Sequence, residues 1–193
     1  MIDRYFIRPL TERDIPKLID IRPGFKTSVI VQVQHVGEGY TGGWQLIEVE
    51  IDPPYEKGHG YDFDATEREN IRERFRQGNN LLEVVVERDT DRVVGVVDVE
   101  EREWNSTAWV WNLMLDEEVR GQGLGTRLVQ RTVAWAKKRG LRAVMLETQT
   151  NNVPACRFYV KMGFQLVGIN EMFYTNHDVQ NNEVAIFWSL PVR

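Results

Sequence analysis

Residues 107–125 read T-A-W-V-W-N-L-M-L-D-E-E-V-R-G-Q-G-L-G and constrain this chain more than any other stretch. Trp109, Val110, Trp111, Leu113, Met114 and Leu115 form a short apolar and aromatic run, the composition of a strand. Acidic residues follow, then glycine at every second position, Gly121, Gly123 and Gly125, with a helical pattern directly behind. A strand, a glycine turn and a helix start together make an anion site. Side chains are missing where the ligand must approach, backbone N–H groups point inward, and the helix dipole favours negative charge. The ligand this points to is a phosphate or pyrophosphate.

Two common phosphate loops do not fit. A P-loop needs G-x-x-x-x-G-K-[ST], and Gly125 is followed by Thr126 and Arg127, with no lysine. A dinucleotide fingerprint needs G-x-G-x-x-G near the first strand of a βαβ unit, whereas the spacing here is G-x-G-x-G, past the middle of the chain. What remains is R-x-x-G-x-G at Arg120, Gly123 and Gly125, which by itself also fits a plain tight turn between strand and helix. It resembles the pyrophosphate loop of the GNAT acetyltransferases, which bind acetyl-CoA.

Bulk properties bound the classes. At 193 residues the chain is long enough for one substantial core. A net charge of −5 argues against nucleic acid as the main partner, which needs a basic face, and suits a cationic substrate. The single cysteine, Cys156, excludes an internal disulfide and fits a reducing compartment. The N-terminus is charged within four residues and carries no signal-peptide pattern, and no apolar run approaches membrane-spanning length. The expectation is a cytoplasmic protein with no membrane partner. The three histidines, His35, His59 and His177, have no metal-ligand spacing, so no metal is expected.

Taken in order, residues 4–10 read as a first strand. Thr11 and Asp14 form a capping box for a helix whose face is Ile15, Leu18 and Ile19, ended by Arg22-Pro23-Gly24. Residues 27–36 and 44–51 alternate as a hairpin around a glycine-rich loop, and residues 52–62 read as an irregular loop. A charged helix over 66–77 takes Thr66 and Glu69 as caps and Ile71 with Phe75 as its apolar pair, before Gly78-Asn79-Asn80 stops it. Strands over 82–87 and 92–103 form a hairpin into the central strand. The helix behind the glycines buries Leu128, Val129, Val133 and Ala136 and ends at Gly140. A short strand over 143–146, a helix starting at residues 151–154 with Phe158 and Met162 inward, and strands over 164–174 and 183–190 complete one domain, 1–193. Residues 25–64 are an inserted hairpin and loop within it: either a surface embellishment or a wall for a substrate, since loops carry specificity.

A second motif, N-x-x-A-x-x-F-Y-x-K-x-G-F, stands at Asn152, Ala155, Phe158, Tyr159, Lys161, Gly163 and Phe164. It resembles the second GNAT signature, in the order that family requires. The resemblance implies an α/β fold with a central splayed mixed sheet flanked by helices, binding acetyl-CoA as co-substrate. Backbone groups of Leu113 and Leu115 would hold the pantetheine. Amides of Arg120, Gly121, Gln122, Gly123, Leu124, Gly125 and Thr126 would hold the pyrophosphate. Asn152 would bond the cofactor arm, and Tyr159 would sit near the thioester sulfur as general acid. A backbone amide near Leu113 would serve the oxyanion. Direct attack by an amine needs no enzyme nucleophile, and free cysteines tend to be buried, so Cys156 reads as packing. Glu147 and Glu103 are candidate bases beside a water chain.

P-P-Y-E-K with a following Y-D, at Pro53 to Lys57 and Tyr61-Asp62, resembles the streptothricin acetyltransferase group. So do L-E-T-Q-T-N-N-V-P-A-C at residues 146–156 and N-E-V-A-I-F-W at residues 182–188. The spacer Gly58-His59-Gly60 departs from that pattern. The acceptor is then a cationic small-molecule amine, with Asp52, Tyr55, Tyr61, Asp62 and Asp64 as its wall and Glu100 to Glu103 adding to the field. Acetylation of protein N-termini, lysines or polyamines, and a non-catalytic acyl-CoA-binding module, are the competing functions. Dimerisation is common in the family, so a homodimer is a candidate assembly.

Overall fold

The computed structural model describes residues 4–58 and 63–192. In chain order the elements are β1 (Tyr5–Pro9), a 3₁₀ helix (Glu12–Asp20), β2 (Phe25–Val36), β3 (Gly43–Lys57), α1 (Ala65–Gln77), β4 (Leu81–Glu87), β5 (Val93–Arg102) and β6 (Thr107–Leu115). Then come α2 (Leu124–Lys138), β7 (Ala143–Gln149), α3 (Val153–Lys161), β8 (Gln165–Asn170) and β9 (Ala185–Pro191). Contacts gather them into two compact units. One comprises Met1–Gly24, Gly58–Met145 and Pro191–Arg193, the other Phe25–Lys57 and Leu146–Leu190.

In the first unit β1, β4, β5 and β6 lie side by side in that order, each pair antiparallel. β4 and β5 carry near-continuous valine runs and are buried on both faces. Leu10, Ile15, Leu18, Ile21, Phe63 and Ile71 pack with the valines into one core. Gly95 lets β5 approach β6. A Cβ there would stand 2.5 Å from Leu115 Cδ2 and 3.0 Å from the Met114 carbonyl oxygen.

Several expectations need correction. The first helix is 3₁₀, with three residues per turn, so its buried line is Ile15, Leu18 and Ile21, while Ile19 is 40% exposed. Asp14 does close the box: its carboxylate accepts from the Thr11 amide at 2.8 Å and from both terminal nitrogens of Arg8. α1 is capped by Asp64, not Thr66. The Asp64 carboxylate accepts from the Glu67 amide at 2.8 Å, and Gly78 closes the helix at φ 74°. In α2 the buried stripe takes Thr132 in place of Val133, because the Thr132 hydroxyl donates to the Leu128 carbonyl and leaves no polar atom unpaired.

In the second unit β2 and β3 form a separate two-stranded sheet, while β7, β9 and β8 are neighbours in that order. Residues 52–57, read as irregular loop, belong to β3: Tyr55, Glu56 and Lys57 pair with Thr27, Lys26 and Phe25. Pro53 and Pro54 give the stretch its loop-like composition. They lack a ladder donor, and the register breaks opposite them, between Thr27 and Val29. α3 buries Val153, Cys156 and Tyr159, whereas Phe158 and Met162 are only half-buried. β8 stops at Asn170, so residues 171–174 lie beyond the strand.

Candidate active site

The glycine stretch begins where β6 ends. Asp116 is fully buried there. Burial works against its ionisation, but the Glu118 and Arg22 amides and the guanidinium groups of Arg92 and Arg22 outweigh that and hold its carboxyl below the usual range. Arg120 then turns inward. Its side chain donates to the carbonyls of Gly24 at 2.7 Å, Pro23 at 2.5 Å and Leu115 at 3.1 Å, fixing the loop to the end of β6. The arginine of the motif is therefore a structural clamp through its side chain.

Gly121 and Gly123 have φ of 76° and 78°, and a Cβ at either would meet no atom within 4 Å. α2 opens at Leu124, one residue before the last glycine, so Gly125 lies inside the first turn. Gly123 is its N-cap and offers no side-chain acceptor, no acid stands in that turn, and Arg127 makes a helical bond back to the Gly123 carbonyl. The amides of Leu124, Gly125 and Thr126 thus remain donors beside open space, with the exposed Gln122 between the two left-handed glycines. That donor set fits a diphosphate. Leu113 and Leu115 stand on β6 opposite Val97 and Gly95.

The second unit holds Asn152, Tyr159, Glu147 and Cys156. Asn152 caps α3, its Oδ1 accepting from the Ala155 amide at 3.2 Å. Tyr159 packs among Phe158, Phe164 and Trp188 and is 8% exposed. Burial, reinforced by the neighbouring Cys156 and Glu147, pushes its hydroxyl well above the ordinary tyrosine range, so it is protonated at neutral pH. Glu147 lies on β7 with its carboxylate accepting from the Tyr174 hydroxyl. Burial pushes the Glu147 carboxyl up, and the Tyr174 bond and the Lys57 charge pull it back toward ionisation. Glu103, the other candidate base, is exposed on a short 3₁₀ turn. Cys156 is buried and its thiol is pushed up to about 12, chiefly by desolvation, which makes it inert as a nucleophile.

The residues expected to form an acceptor wall fall on different elements. Asp52 is exposed and Tyr55, beside Phe25 at 5.8 Å, is half-buried, both on β3. Asp64 is committed to the α1 cap. Tyr61 and Asp62, with His59 and Gly60 of the spacer, lie outside the described residues. Acids at the end of β5 are also engaged. Glu100 accepts from Trp111 Nε1 at 2.8 Å and Glu101 from Arg139 at 2.5 Å.

Sequence reasoning missed a buried polar network in the first unit. Asp98, fully buried on β5, accepts from Arg74 Nη2 at 2.6 Å. Arg74 also reaches Glu67 at 2.7 Å, and Asn112 Nδ2 donates to Glu67 at 2.8 Å. The signal was present: a lone aspartate inside V-V-G-V-V-D-V must find a partner. Tyr174 was missed because it follows a strand and matches no motif.

The sequence model of the acetyltransferase (GNAT) family matches residues 44–164, more than half of the chain. The chain belongs to the GNAT acetyltransferase family. It is an acetyl-CoA-dependent N-acetyltransferase, with the mixed α/β, mostly antiparallel sheet of that family flanked by helices. It is 30% identical to streptothricin acetyltransferase A of Bacillus subtilis (strain 168) over 147 residues, 76% of this chain and 79% of that one. The crystal structure of nourseothricin acetyltransferase superposes with a TM-score of 0.81 at 26% identity, covering 99% of this chain and 100% of the other. A Bacillus anthracis protein assigned as a streptothricin acetyltransferase, solved in complex with acetyl coenzyme A, superposes with a TM-score of 0.76 at 25% identity, covering 98% of each chain. Among the described residues no helix is long and apolar enough to cross a membrane.

Proposed function

We propose that this GNAT enzyme acetylates an amine on the β-lysine arm of a streptothricin-type antibiotic and so confers resistance. The observation that carries the reading is the likeness to streptothricin and nourseothricin acetyltransferases over 79% and 100% of those chains. The net charge of −5 suits a polycationic acceptor. Acetylation removes one positive charge and weakens the drug's hold on anionic RNA.

Bound acetyl-CoA supplies a thioester carbonyl open to direct attack by an amine. In this proposal the amides of residues 120–126 bind the pyrophosphate, and backbone groups of Leu113 and Leu115 orient the acyl arm. Asn152, its oxygen occupied by the cap, offers its amide nitrogen to that arm. Glu147 takes the proton that the attacking nitrogen loses, directly or through water, and the Tyr159 hydroxyl gives its own to the departing sulfur. The two steps support each other. The Glu147 charge is one of the groups holding Tyr159 protonated, so neutralising Glu147 makes the phenol a stronger acid when the sulfur needs its proton. Asp52 and Tyr55, with Tyr61 and Asp62 on sequence grounds, remain the proposed acceptor wall.

The test is a thiol-release assay with acetyl-CoA across amine acceptors. Streptothricin is expected to give the highest kcat/KM. A protein active on other amines that releases no thiol with streptothricin would refute the assignment.

A further inference from the structure

In the first unit a cleft of about 380 Å³ opens between the start of α1 and β6, lined among others by Asp64, Glu67, Asn70, Trp111, Asn112 and Met114. β6 is irregular at this point. The register with β5 shifts between Asp98↔Asn112 and Val99↔Val110, leaving Trp111 as an extra residue. In a regular strand Trp111 and Asn112 would point to opposite faces, and the bulge lets both reach one cleft. The cleft residues Asn112 and Met114 flank Leu113, the position the resemblance assigns to the acyl group.

The polar chemistry of the cleft is one-sided. Arg74 is shared by two carboxylates, Asp98 at 2.9 Å from Nε and 2.6 Å from Nη2 and Glu67 at 2.7 Å from Nη2, one cation against two acids. Glu67 is left as a surplus carboxylate, held in place by Arg74, Asn112 and Asn70. Asn112 is 6% exposed, and its orientation is fixed chemically: its amide nitrogen must face the carboxylates of Glu67 and Asp98. Its side-chain oxygen accepts no hydrogen bond among the described residues, which leaves it available to a donor in the cleft. Trp111 is wall and not seat: the guanidinium carbons of Arg74 and Arg102 already lie 5.3 and 5.1 Å from its ring. A surplus carboxylate beside an unused carbonyl in an open cleft is the recognition set for a group with several N–H donors and a positive charge.

We propose that this cleft seats an ammonium group of the acceptor, held by the Glu67 carboxylate and the Asn112 carbonyl, and that the seated nitrogen is not the one acetylated. The proposal rests on the acetyltransferase reading above. The seated nitrogen is excluded from reaction because a carboxylate partner favours its charged form, and attack on a thioester needs a free amine. The acceptor class is therefore one with at least two amines.

The experiment pairs 1,4-diaminobutane with butylamine, which lacks the second nitrogen. In thiol release the wild-type enzyme is expected to show kcat/KM at least tenfold higher for the diamine. Glu67→Gln is expected to reduce that ratio to below about threefold, with KM for acetyl-CoA changed less than twofold. Equal values in the wild type, or a ratio that survives Glu67→Gln, would overturn the proposal. A second measurement does not depend on turnover. The side-chain amide of Asn112, followed by ¹⁵N–¹H NMR, is expected to shift saturably on titration with the diamine and not with butylamine. An amide that does not shift overturns the cleft assignment. A saturable shift in a protein that acetylates no amine, streptothricin included, supports the cleft and refutes the acetylation reading instead.

Discussion

The Tyr174 hydroxyl donates to the Glu147 carboxylate. The bond ties a residue past the end of β8 to the middle of β7, within one unit. It sets the protonation of the candidate base. Burial pushes the Glu147 carboxyl above the usual carboxylate range; the tyrosine bond and Lys57 favour the anion, and Glu183 opposes them. A base must be ionised to act, so removing the tyrosine moves its working range upward. In Tyr174→Phe the acid limb of the kcat–pH profile is expected to shift to higher pH, because the anion loses a hydrogen bond that favours it. KM for acetyl-CoA at the plateau should stay near wild type. An unmoved limb would show that Glu147 is not the titrating base.

The glycine loop gives a separate prediction. Any side chain at Gly123 enters open space, since nothing lies within 4 Å of its would-be Cβ, and it must accept a φ of 78°. Gly123→Trp is expected to place an indole over the first-turn amides and weaken CoA binding by tenfold or more in calorimetry, while far-UV circular dichroism stays unchanged. Wild-type affinity in a folded variant would exclude this loop as the pyrophosphate seat.

Much of this was legible in the sequence, and the failures have physical causes. The two motifs located β6, the glycine loop, α3 and Tyr159 because each needs particular residue types at fixed spacing. Ile19 was placed inward because a 3.6-residue period was assumed where the chain winds at 3.0. β3 was cut short at Asp52 because prolines usually end strands; here a register break accommodates them. Thr66 fits the cap pattern, but Asp64, two residues earlier, is at least as good an acceptor for a first-turn amide and takes the role. The partners of Asp98 and Glu147 lie 24 and 27 residues away, at Arg74 and Tyr174, and no local pattern announces them.

Stability should depend on pH through Asp14. This residue is 1% exposed. Burial opposes its charge, but Arg8 and the two donors of Thr11 prevail and bring its pKa from 3.8 down to about 2. A carboxylate with a depressed folded-state pKa stabilises above its unfolded value, and the contribution fades as pH falls through the folded one. Asp14→Asn is expected to cost about 2 kcal/mol at pH 7. The gap to wild type in urea unfolding should narrow between about pH 4 and pH 2. A gap that does not depend on pH would mean that Asp14 acts by shape and not by charge.

The sharpest functional prediction concerns Tyr159. Its ring is enclosed by three aromatic neighbours, so Tyr159→Phe keeps the packing and removes only the hydroxyl. That hydroxyl has no hydrogen-bond partner among the described residues, so its loss leaves no broken bond in the fold. The hydroxyl acts on charge that develops as the carbon–sulfur bond breaks, and interactions made only then lower kcat without weakening ground-state binding. The variant is expected to lose about 10²–10⁴ in kcat, the usual worth of a general acid, with Kd for acetyl-CoA within twofold of wild type. The loss should shrink with a thioester whose thiol is more acidic, because that sulfur leaves without needing a proton. A variant with wild-type kcat at saturating substrate, or an equal loss with both thioesters, would assign protonation of the sulfur to water or to another group.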